Sequence, residues 1–479
     1  VTGDDLKPEE AAIRAAGMRE MFTGAPLPET LVTANAYIGA RGIAAALDAG
    51  AEIVITGRCV DSAVTLGPLV HHFGWDWQDW DRLAQGSLAG HLVECGAQGT
   101  GGLFTDWQAV PGWDDMGFPI VEVSADGSFV LTKPEGTGGL IVPLSAAEQL
   151  LYEIGDPAAY LLPDVACDFR AVELAQVGPD RVRVAGARGR APSGRLKVSA
   201  TVADGFRTIG TVTIGGREAA AKAERTGAAI IARAARLIAD KGLPPLTETS
   251  IEVLGSEVTY GPHARPEAKA AREVVLKIGA RSTAAASLDV LAREVVPAAT
   301  AMAQGLTGLY AGRPTVAPVF RTFSFLWPAE KVPATVALGA DSFRVDNPLP
   351  PEAVPASPIP AAEAVMPPDG EAVPLIALAV GRSGDKGDIA NIGVIMRDPA
   401  FVPYVRAALT PDAVKAWFAH LGVSRVERFD LPGFSALNFM LHDALGGGGV
   451  ASVRIDPQGK ALAQMLMEMP VKVPAGLLG

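Results

Sequence analysis

The sequence predicts a multidomain protein that combines α/β and α+β folds, and three observations support this prediction. The 479 residues suffice for two to four domains at about 150 residues each. Near residue 118 the pattern changes from helices and continuous apolar runs to short alternating strands. A stretch rich in proline and alanine at 347–372 is typical of an extended linker. We therefore expect an α/β domain at 1–117, an α+β domain at 118–346 and a further domain at 373–479.

The first domain is predicted to contain a parallel sheet. Helical spacing covers 8–24, 42–49 and 84–94, and the continuous apolar run at 51–56 predicts a strand. Strands that are apolar on both faces are typical of parallel sheets, where ligands bind beyond the carboxyl ends of the strands. Arg58, Asp61 and Ser62 would lie at such an end. The chain opens with Val1-Thr-Gly-Asp-Asp5, which resembles a strand exit without its strand, so we expect an incomplete N-terminus.

The second domain follows from alternating runs with turn residues between them. An Asp-Gly pair at 126–127 separates runs at 120–123 and 129–132, which is a strong hairpin signal. Further strands are predicted at 181–185, 197–202, 208–214, 250–254 and 273–278, and a long alanine-rich helix at 219–241. This mixture predicts an α+β domain.

The last domain is predicted to be a ferredoxin-like α+β sandwich. Strands at 375–380 and 389–396 flank a charged loop, and they are followed by a helix at 401–420. Strands at 425–431, 439–445 and 451–455 come next, with a glycine hinge at 446–449 before the last of them and a helix at 459–468 after it. Two helices against an antiparallel sheet in about 100 residues give this sandwich.

Composition excludes several classes of function. The net charge of −12 argues against a surface built for nucleic acid. No apolar run of about 18 residues and no signal peptide is present, so we expect a soluble protein that does not bind membranes. Cys59, Cys95 and Cys167 form no CxxC pair, which favours a reducing cytoplasm. The six histidines lack zinc-site spacing, and GxSxG and GxGxxG patterns are absent, so we predict no metal and no cofactor.

The strongest candidate site is the loop Gly381-Arg-Ser-Gly-Asp-Lys-Gly-Asp388. Its glycines would allow close approach to a ligand, and Arg382 and Lys386 would face a phosphate or a carboxylate. Asp385 and Asp388 would orient these cations or bind a hydroxyl group. The alternative is a charged hairpin with a wide glycine turn. Ser383 and Asn391 complete this group of predicted substrate-binding residues.

A second candidate site is the loop 133–139. Lys133 and Glu135 place a cation and a carboxylate two residues apart, and Thr137 follows them. The amides of Gly138 and Gly139 could bind an oxyanion.

Three residues are candidates for proton transfer. Asp61 and Asp106 stand beside glycine-rich loops, although capping is the usual role of such aspartates. His263 follows an apolar strand and could be a general acid or base, or a loop histidine that binds backbone.

Several segments resemble the acyclic terpene utilisation (AtuA-like) family. Its members are found beside genes for the bacterial catabolism of citronellol, geraniol and related branched acyl-CoA compounds. The segment 381–393 resembles the ferredoxin-fold domain appended in that family. The resemblance also implies that an N-terminal, glycine-rich segment of the family is missing here. The matching segments are Ala34-Asn-Ala-Tyr-Ile-Gly39, Ile55-Thr-Gly-Arg-Cys-Val-Asp-Ser62, Glu94-Cys-Gly-Ala-Gln98, Thr100-Gly-Gly-Leu-Phe-Thr-Asp-Trp107, Lys133-Pro-Glu-Gly-Thr-Gly-Gly139, Tyr152-Glu-Ile-Gly-Asp156 and Tyr260-Gly-Pro-His263.

The resemblance implies a pathway, and the missing cofactor signatures favour acid–base chemistry within it. We expect a hydratase or lyase that acts on a branched acyl-CoA or its free acid. The alternative is a non-catalytic binding or assembly subunit of an acyl-CoA carboxylase, with the last domain as an adaptor. The expected partner is therefore a small-molecule substrate, with a homo-oligomer or a carboxylase as further alternatives.

Overall fold

The computed structural model describes residues 1–308, 312–352, 354–367 and 370–478. Positions 353, 368 and 369 of the predicted linker therefore lie outside the described residues. The helices are α1 (Glu10–Ala15), α2 (Arg41–Asp48), α3 (Ala63–Phe73), α4 (Trp80–Val93), α5 (Pro143–Leu151), α6 (Ala219–Asp240), α7 (Pro266–Lys269), α8 (Ala285–Val295), α9 (Ala298–Ala301), α10 (Val402–Ala408), α11 (Pro411–Trp417) and α12 (Leu462–Leu466).

The strands form several separate sheets. They are β1 (Thr33–Ala36), β2 (Ile120–Val123), β3 (Phe129–Thr132), β4 (Tyr160–Leu161), β5 (Ala166–Asp168), β6 (Glu173–Gly178), β7 (Arg181–Ala185), β8 (Arg188–Arg190), β9 (Arg195–Gly215), β10 (Leu246–Leu254), β11 (Glu273–Ser282), β12 (Val316–Pro328), β13 (Ala334–Leu338), β14 (Asp341–Val345), β15 (Gly370–Pro374), β16 (Ala379–Lys386), β17 (Ile389–Met396), β18 (Arg425–Leu431), β19 (Ala436–His442) and β20 (Pro470–Pro474).

The long strand β9 organises the largest sheet, which is antiparallel and five-stranded. β12 pairs along one edge of β9, whereas β1 and β11 pair with successive parts of the other edge. β10 continues the sheet beyond β11. The first part of β9 contributes Leu196 and Val198 to one hydrophobic core. The second part contributes Val212 and Ile214 to another core, together with side chains of α6 and α8.

The α+β class is confirmed, but the predicted parallel sheet at 1–117 is wrong. β1 pairs with β9 in the antiparallel sense. The run at 51–56 forms no strand, and Ile53 and Ile55 are 84% and 81% exposed. A continuous apolar run predicts a buried strand only where neighbours cover it, and no strand pairs with this segment in the described part of the chain. The predicted helix at 8–24 is also shorter, because the chain turns at Gly17 with φ +64°.

The last domain contains a four-stranded antiparallel sheet in the order β16-β17-β19-β18. The residues predicted as a charged loop belong mostly to β16, so only Gly387 and Asp388 connect it to β17. The alternative interpretation, a charged hairpin, is therefore closer to the structure. Pro411 starts a second helix where one helix was predicted at 401–420, because proline lacks the N–H that a helix interior needs.

Two further differences concern the ends of this domain. The predicted strand at 451–455 is irregular after a short 3₁₀ segment, Gly449–Ala451. β20 follows instead and pairs with β15, so the end of the predicted linker is a strand. The Asp-Gly hairpin is confirmed between β2 and β3, and the long alanine-rich helix is confirmed as α6.

Candidate functional site

A polar cavity of about 570 Å³ opens beside the segment 57–61. Asp4 fixes this segment, because its Oδ2 accepts the Arg58 N–H at 2.9 Å and the Asn35 Nδ2 at 3.0 Å. Gly57 is required here, since a Cβ at that position would collide with the Asp4 carboxylate. The cavity is lined by Asp4, Asn35, Gly57, Arg58, Cys59, Asp61, Val64 and Glu94.

Asp61 stands in the cavity wall just before α3. Desolvation by the surrounding wall raises the pKa of its carboxyl group, and the nearby Glu94 raises it further. The positive charges of Lys386 and Arg58 act in the opposite direction. The structure thus brings together the two charged segments that the sequence predicted separately, 57–62 and 381–388.

The turn 152–155, which follows α5, contacts the same part of the last domain. Asn391 of β17 donates to the Leu151 carbonyl at 2.7 Å and accepts the Glu153 N–H at 2.9 Å. Asn438 of β19 donates to the carbonyls of Ile154 and Gly155 at 2.9 and 2.7 Å. Both asparagines are buried. The last domain therefore holds the turn 152–155 in place through buried hydrogen bonds.

Tyr152 and Glu153 of this turn contact two lysines of the last domain. Lys386 Nζ lies 3.1 Å from Glu153 Oε2, and Lys460 Nζ lies 3.4 Å from Glu153 Oε1 and 3.2 Å from Asp385 Oδ1. Lys460 also donates to the Tyr152 hydroxyl. Burial would raise the pKa of Glu153, but Lys386, Tyr152 and Lys460 together outweigh it and the pKa is lowered. We call Tyr152, Glu153, Asp385, Lys386 and Lys460 the junction cluster.

Arg382 supports this cluster from inside the protein. Its guanidinium donates to the carbonyls of Gly102 and Leu103 at 3.3 and 3.2 Å and to the Gln98 side chain. It also lies 5.0 Å from the centre of the Tyr152 ring, and the residue is only 6% exposed. These bonds use the guanidinium to join the last domain to the segment 98–103, so we do not place Arg382 in contact with a ligand.

Ser383 and Asp388 have structural partners as well. Ser383 Oγ accepts the Ala463 N–H at 3.0 Å, which ties β16 to α12. Asp388 Oδ1 accepts the N–H groups of Leu445 and Gly447 at 3.0 and 2.9 Å. Of the predicted residues at 381–391, Lys386 and Asp385 therefore remain the ones directed to the junction cluster.

Two family models match this chain. The model of the acyclic terpene utilisation family protein AtuA matches residues 1–338, and the model of the AtuA ferredoxin-like domain matches residues 373–472. The chain belongs to the acyclic terpene utilisation family. No curated protein and no solved structure matches it.

In this AtuA family chain, the loop 133–139 does not have the environment of the predicted oxyanion site. The N–H groups of Gly138 and Gly139 donate to the carbonyls of Asp115 and Pro111, both at 2.8 Å. They are thus already used and offer no donor to an oxyanion. Lys133 donates to the Thr137 carbonyl at 2.7 Å and pairs with Asp180 at 3.3 Å, whereas Glu135 is exposed.

The two other proton-transfer candidates lie in contacts with the ferredoxin-like domain. Both carboxylate oxygens of Asp106 accept from Arg397, each at 2.6 Å. His263 stacks on Trp417 with ring centres 3.7 Å apart, and its Nε2 lies 2.9 Å from the Trp417 carbonyl oxygen. Ser62 is buried, with Gly90 of α4 packed closely against it. Of the three candidates, Asp61 is the one in the cavity wall.

Sequence reasoning missed several residues of the site. Tyr152 and Glu153 belong to one of the segments that resemble the family, which was a usable signal. Glu94 likewise opens one of these segments, at 94–98. Lys460 carried no signal of its own, because its contacts come from a distant part of the chain. Among the described residues, no three or more His, Cys, Asp or Glu side chains are grouped to hold a metal ion. No described helix is long and apolar enough to cross a membrane.

Proposed function

We propose that this chain is a cofactor-independent hydratase or lyase that acts on a branched acyl-CoA or its free acid during acyclic terpene utilisation. The observation that carries the proposal is Asp61, a carboxylate in the wall of a polar cavity whose pKa is raised toward the range useful for proton transfer. The family supplies the pathway.

The proposed chemistry assigns different roles to the carboxylates and to the positive charge of the cavity. In hydration, Asp61 removes a proton from water while the hydroxyl adds to the β-carbon of the unsaturated acyl group. The electrons move to the acyl oxygen as an enolate, and the proton that Asp61 took from water is then delivered to the α-carbon, which regenerates the carboxylate and completes the reaction. Arg58, which lines the cavity with Asp61, supplies the positive charge that stabilises the enolate. Glu94 is the second carboxylate in the cavity wall, and its negative charge favours the protonated form of Asp61.

The contacts of the ferredoxin-like domain favour this enzyme over the adaptor alternative. Asn391 and Asn438 bind the turn 152–155 through buried hydrogen bonds, and Arg397 forms a two-pronged ion pair with Asp106. A domain held in this way is poorly suited to serve as a mobile adaptor. Lys386 from the same domain also acts on Asp61.

The test is turnover of a panel of branched enoyl-CoA thioesters and their free acids, followed by mass spectrometry for gain or loss of water or for a cleaved fragment. Asp61→Asn should lower kcat at least about 100-fold, the lower end of the usual contribution of general acid–base catalysis. The exposed Asp114→Asn is the matched control and should retain wild-type turnover. No mass change with any compound, in folded protein, would favour the adaptor alternative. Loss of turnover in Asp106→Asn but not in Asp61→Asn would move the proton transfer to Asp106.

A further inference from the structure

Lys197 lies on the same face of the β9 sheet as the cavity residue Asn35. In the register of β1 and β9, Asn35 faces Ser199, and Lys197 is two residues from Ser199 on the same face of the strand. Asn35 lines the cavity. The nearby pair Thr33 and Thr201 joins through a hydroxyl hydrogen bond of 2.8 Å, which shows that this face is polar.

Tyr37 connects Lys197 to the cavity loop. The Lys197 Nζ lies 5.6 Å from the centre of the Tyr37 ring, and the Arg58 Cζ lies 5.1 Å from the same centre. The Tyr37 N–H also donates to the Lys197 carbonyl at 2.9 Å. Two cations thus share one aromatic ring, and Arg58 continues into the cavity wall.

The Lys197 ammonium group forms no ion pair and no hydrogen bond in the part of the chain that the structure describes. Burial lowers the pKa of its ammonium group, and the charge of Lys386 lowers it further. The negative charge of Glu20 acts in the opposite direction. Its Oε2 is already used by the N–H groups of Phe22 and Thr23 at 2.8 and 2.6 Å. An unpaired, partly buried cation is costly to maintain, and a bound anion would remove that cost.

We propose that Lys197, with Lys386, forms an anion-binding subsite that holds the carboxylate or phosphate group of the substrate. This inference rests on the proposed function, since it names the part of the substrate that the same cavity binds. The charge of Lys386 lowers the pKa of both Asp61 and Lys197, which relates the subsite to the proton-transfer residue. Lys197 is a binding residue in this scheme, and Asp61 carries the proton.

The anionic group has two sources, and the probes separate them. A carboxylate would come from a branched acid, whereas phosphate groups would come from the CoA moiety. The probes are therefore 3-methylglutarate, coenzyme A and inorganic phosphate, each titrated into the full chain by calorimetry. The variants are Lys197→Gln, which removes the charge, and Lys197→Arg, which keeps it. The control is Lys269→Gln, an exposed lysine on α7.

Lys197→Gln should weaken binding of one probe about 10- to 100-fold, the range expected when one charge-assisted hydrogen bond is lost. Lys197→Arg should lose much less, and Lys269→Gln should bind like the wild type. A loss restricted to 3-methylglutarate assigns the subsite to a carboxylate, and a loss restricted to coenzyme A or phosphate assigns it to a phosphate. Equal affinity of the wild type and Lys197→Gln for all three probes, or no binding of any probe, would overturn the proposal.

A second measurement covers the case in which Lys197→Gln does not fold. Acylation of the lysines of the wild-type chain, followed by mass spectrometry, should show Lys197 protected by the probe that binds and Lys269 unprotected. Modification of Lys197 that the probes leave unchanged would contradict the subsite. The two proposals fail separately: full turnover in Asp61→Asn removes the proton-transfer role of Asp61, whereas the binding data on Lys197 are obtained without turnover.

Discussion

Glu148 of α5 provides a quantitative test of the environment behind the site. It is 1% exposed, its Oε1 accepts the Thr105 N–H at 3.2 Å, and its Oε2 has no partner among the described residues. Burial raises the pKa of this carboxyl group from 4.5 to about 7, although Thr105 and Arg382 act against the shift. The folded protein therefore binds a proton at Glu148 in a pH range where the unfolded chain has released it.

The sign and size of the effect on stability follow from this shift. Because the folded pKa is above the unfolded one, the contribution of Glu148 is complete below pH 4.5 and is lost as the pH rises through about 7. At about 1.4 kcal/mol per pKa unit, a rise from 4.5 to about 7 makes the loss about 3 kcal/mol. Glu148→Gln cannot ionise, so it should gain most of this amount relative to the wild type between about pH 5 and pH 8.

The assay is urea unfolding of the wild type and Glu148→Gln at several pH values across that range. Glu224→Gln is the matched control, because Glu224 also lies in a helix, α6, but is exposed. The difference in free energy of unfolding between Glu148→Gln and wild type should grow with pH, whatever its value at pH 5. A difference that stays constant within about 0.5 kcal/mol would refute the reasoning, since burial would then not hold the proton on Glu148.

Two further predictions concern the turn 152–155. Asn391→Ala would leave the Glu153 N–H and the buried Asn438 Oδ1 without partners. At about 1–3 kcal/mol for each buried unpaired group, it should lower the free energy of urea unfolding by about 3 kcal/mol, and a loss below about 1 kcal/mol would contradict the assigned hydrogen bonds. Gly384→Ala would place a Cβ 2.7 Å from side-chain atoms of both Glu153 and Tyr152. It should therefore reduce turnover of the substrate that the panel of thioesters and acids identifies, whereas Gly155→Ala, whose Cβ would lie 3.8 Å from Met440, should not.

Local signals in the sequence predicted much of the secondary structure. The helices α2 and α4 and the long α6 were predicted within a few residues, because their spacing and flanking residues both point to helix. The Asp-Gly turn likewise defined the hairpin of β2 and β3. The run at 51–56 was mistaken for a strand because apolar character does not show whether a neighbouring strand exists.

The site was predicted in pieces. Asp61 and Lys386 were each named from the sequence, but their proximity depends on the packing of two domains. The glycines and charged residues at 381–388 predicted a loop, whereas most of them lie in the strand β16. The contacts that allow these residue types in a strand come from other parts of the chain. Gly384 makes room for Tyr152 and Glu153, and the charge of Lys386 is met by Glu153. These compensating groups lie far away in the sequence, so no local pattern contains them.

The strand β9 has a consequence for how the protein unfolds. Its 21 residues span about 70 Å at about 3.3 Å per residue, and its two ends enter different hydrophobic cores. β12 pairs with both parts of β9, on either side of a register shift between Pro318 and Phe320, so pulling the strand out of either core would break backbone hydrogen bonds to the same neighbouring strand. The two cores are therefore coupled in a single cooperative unit, and loss of order around the cavity would spread to the helices α6 and α8 at the opposite end of the strand.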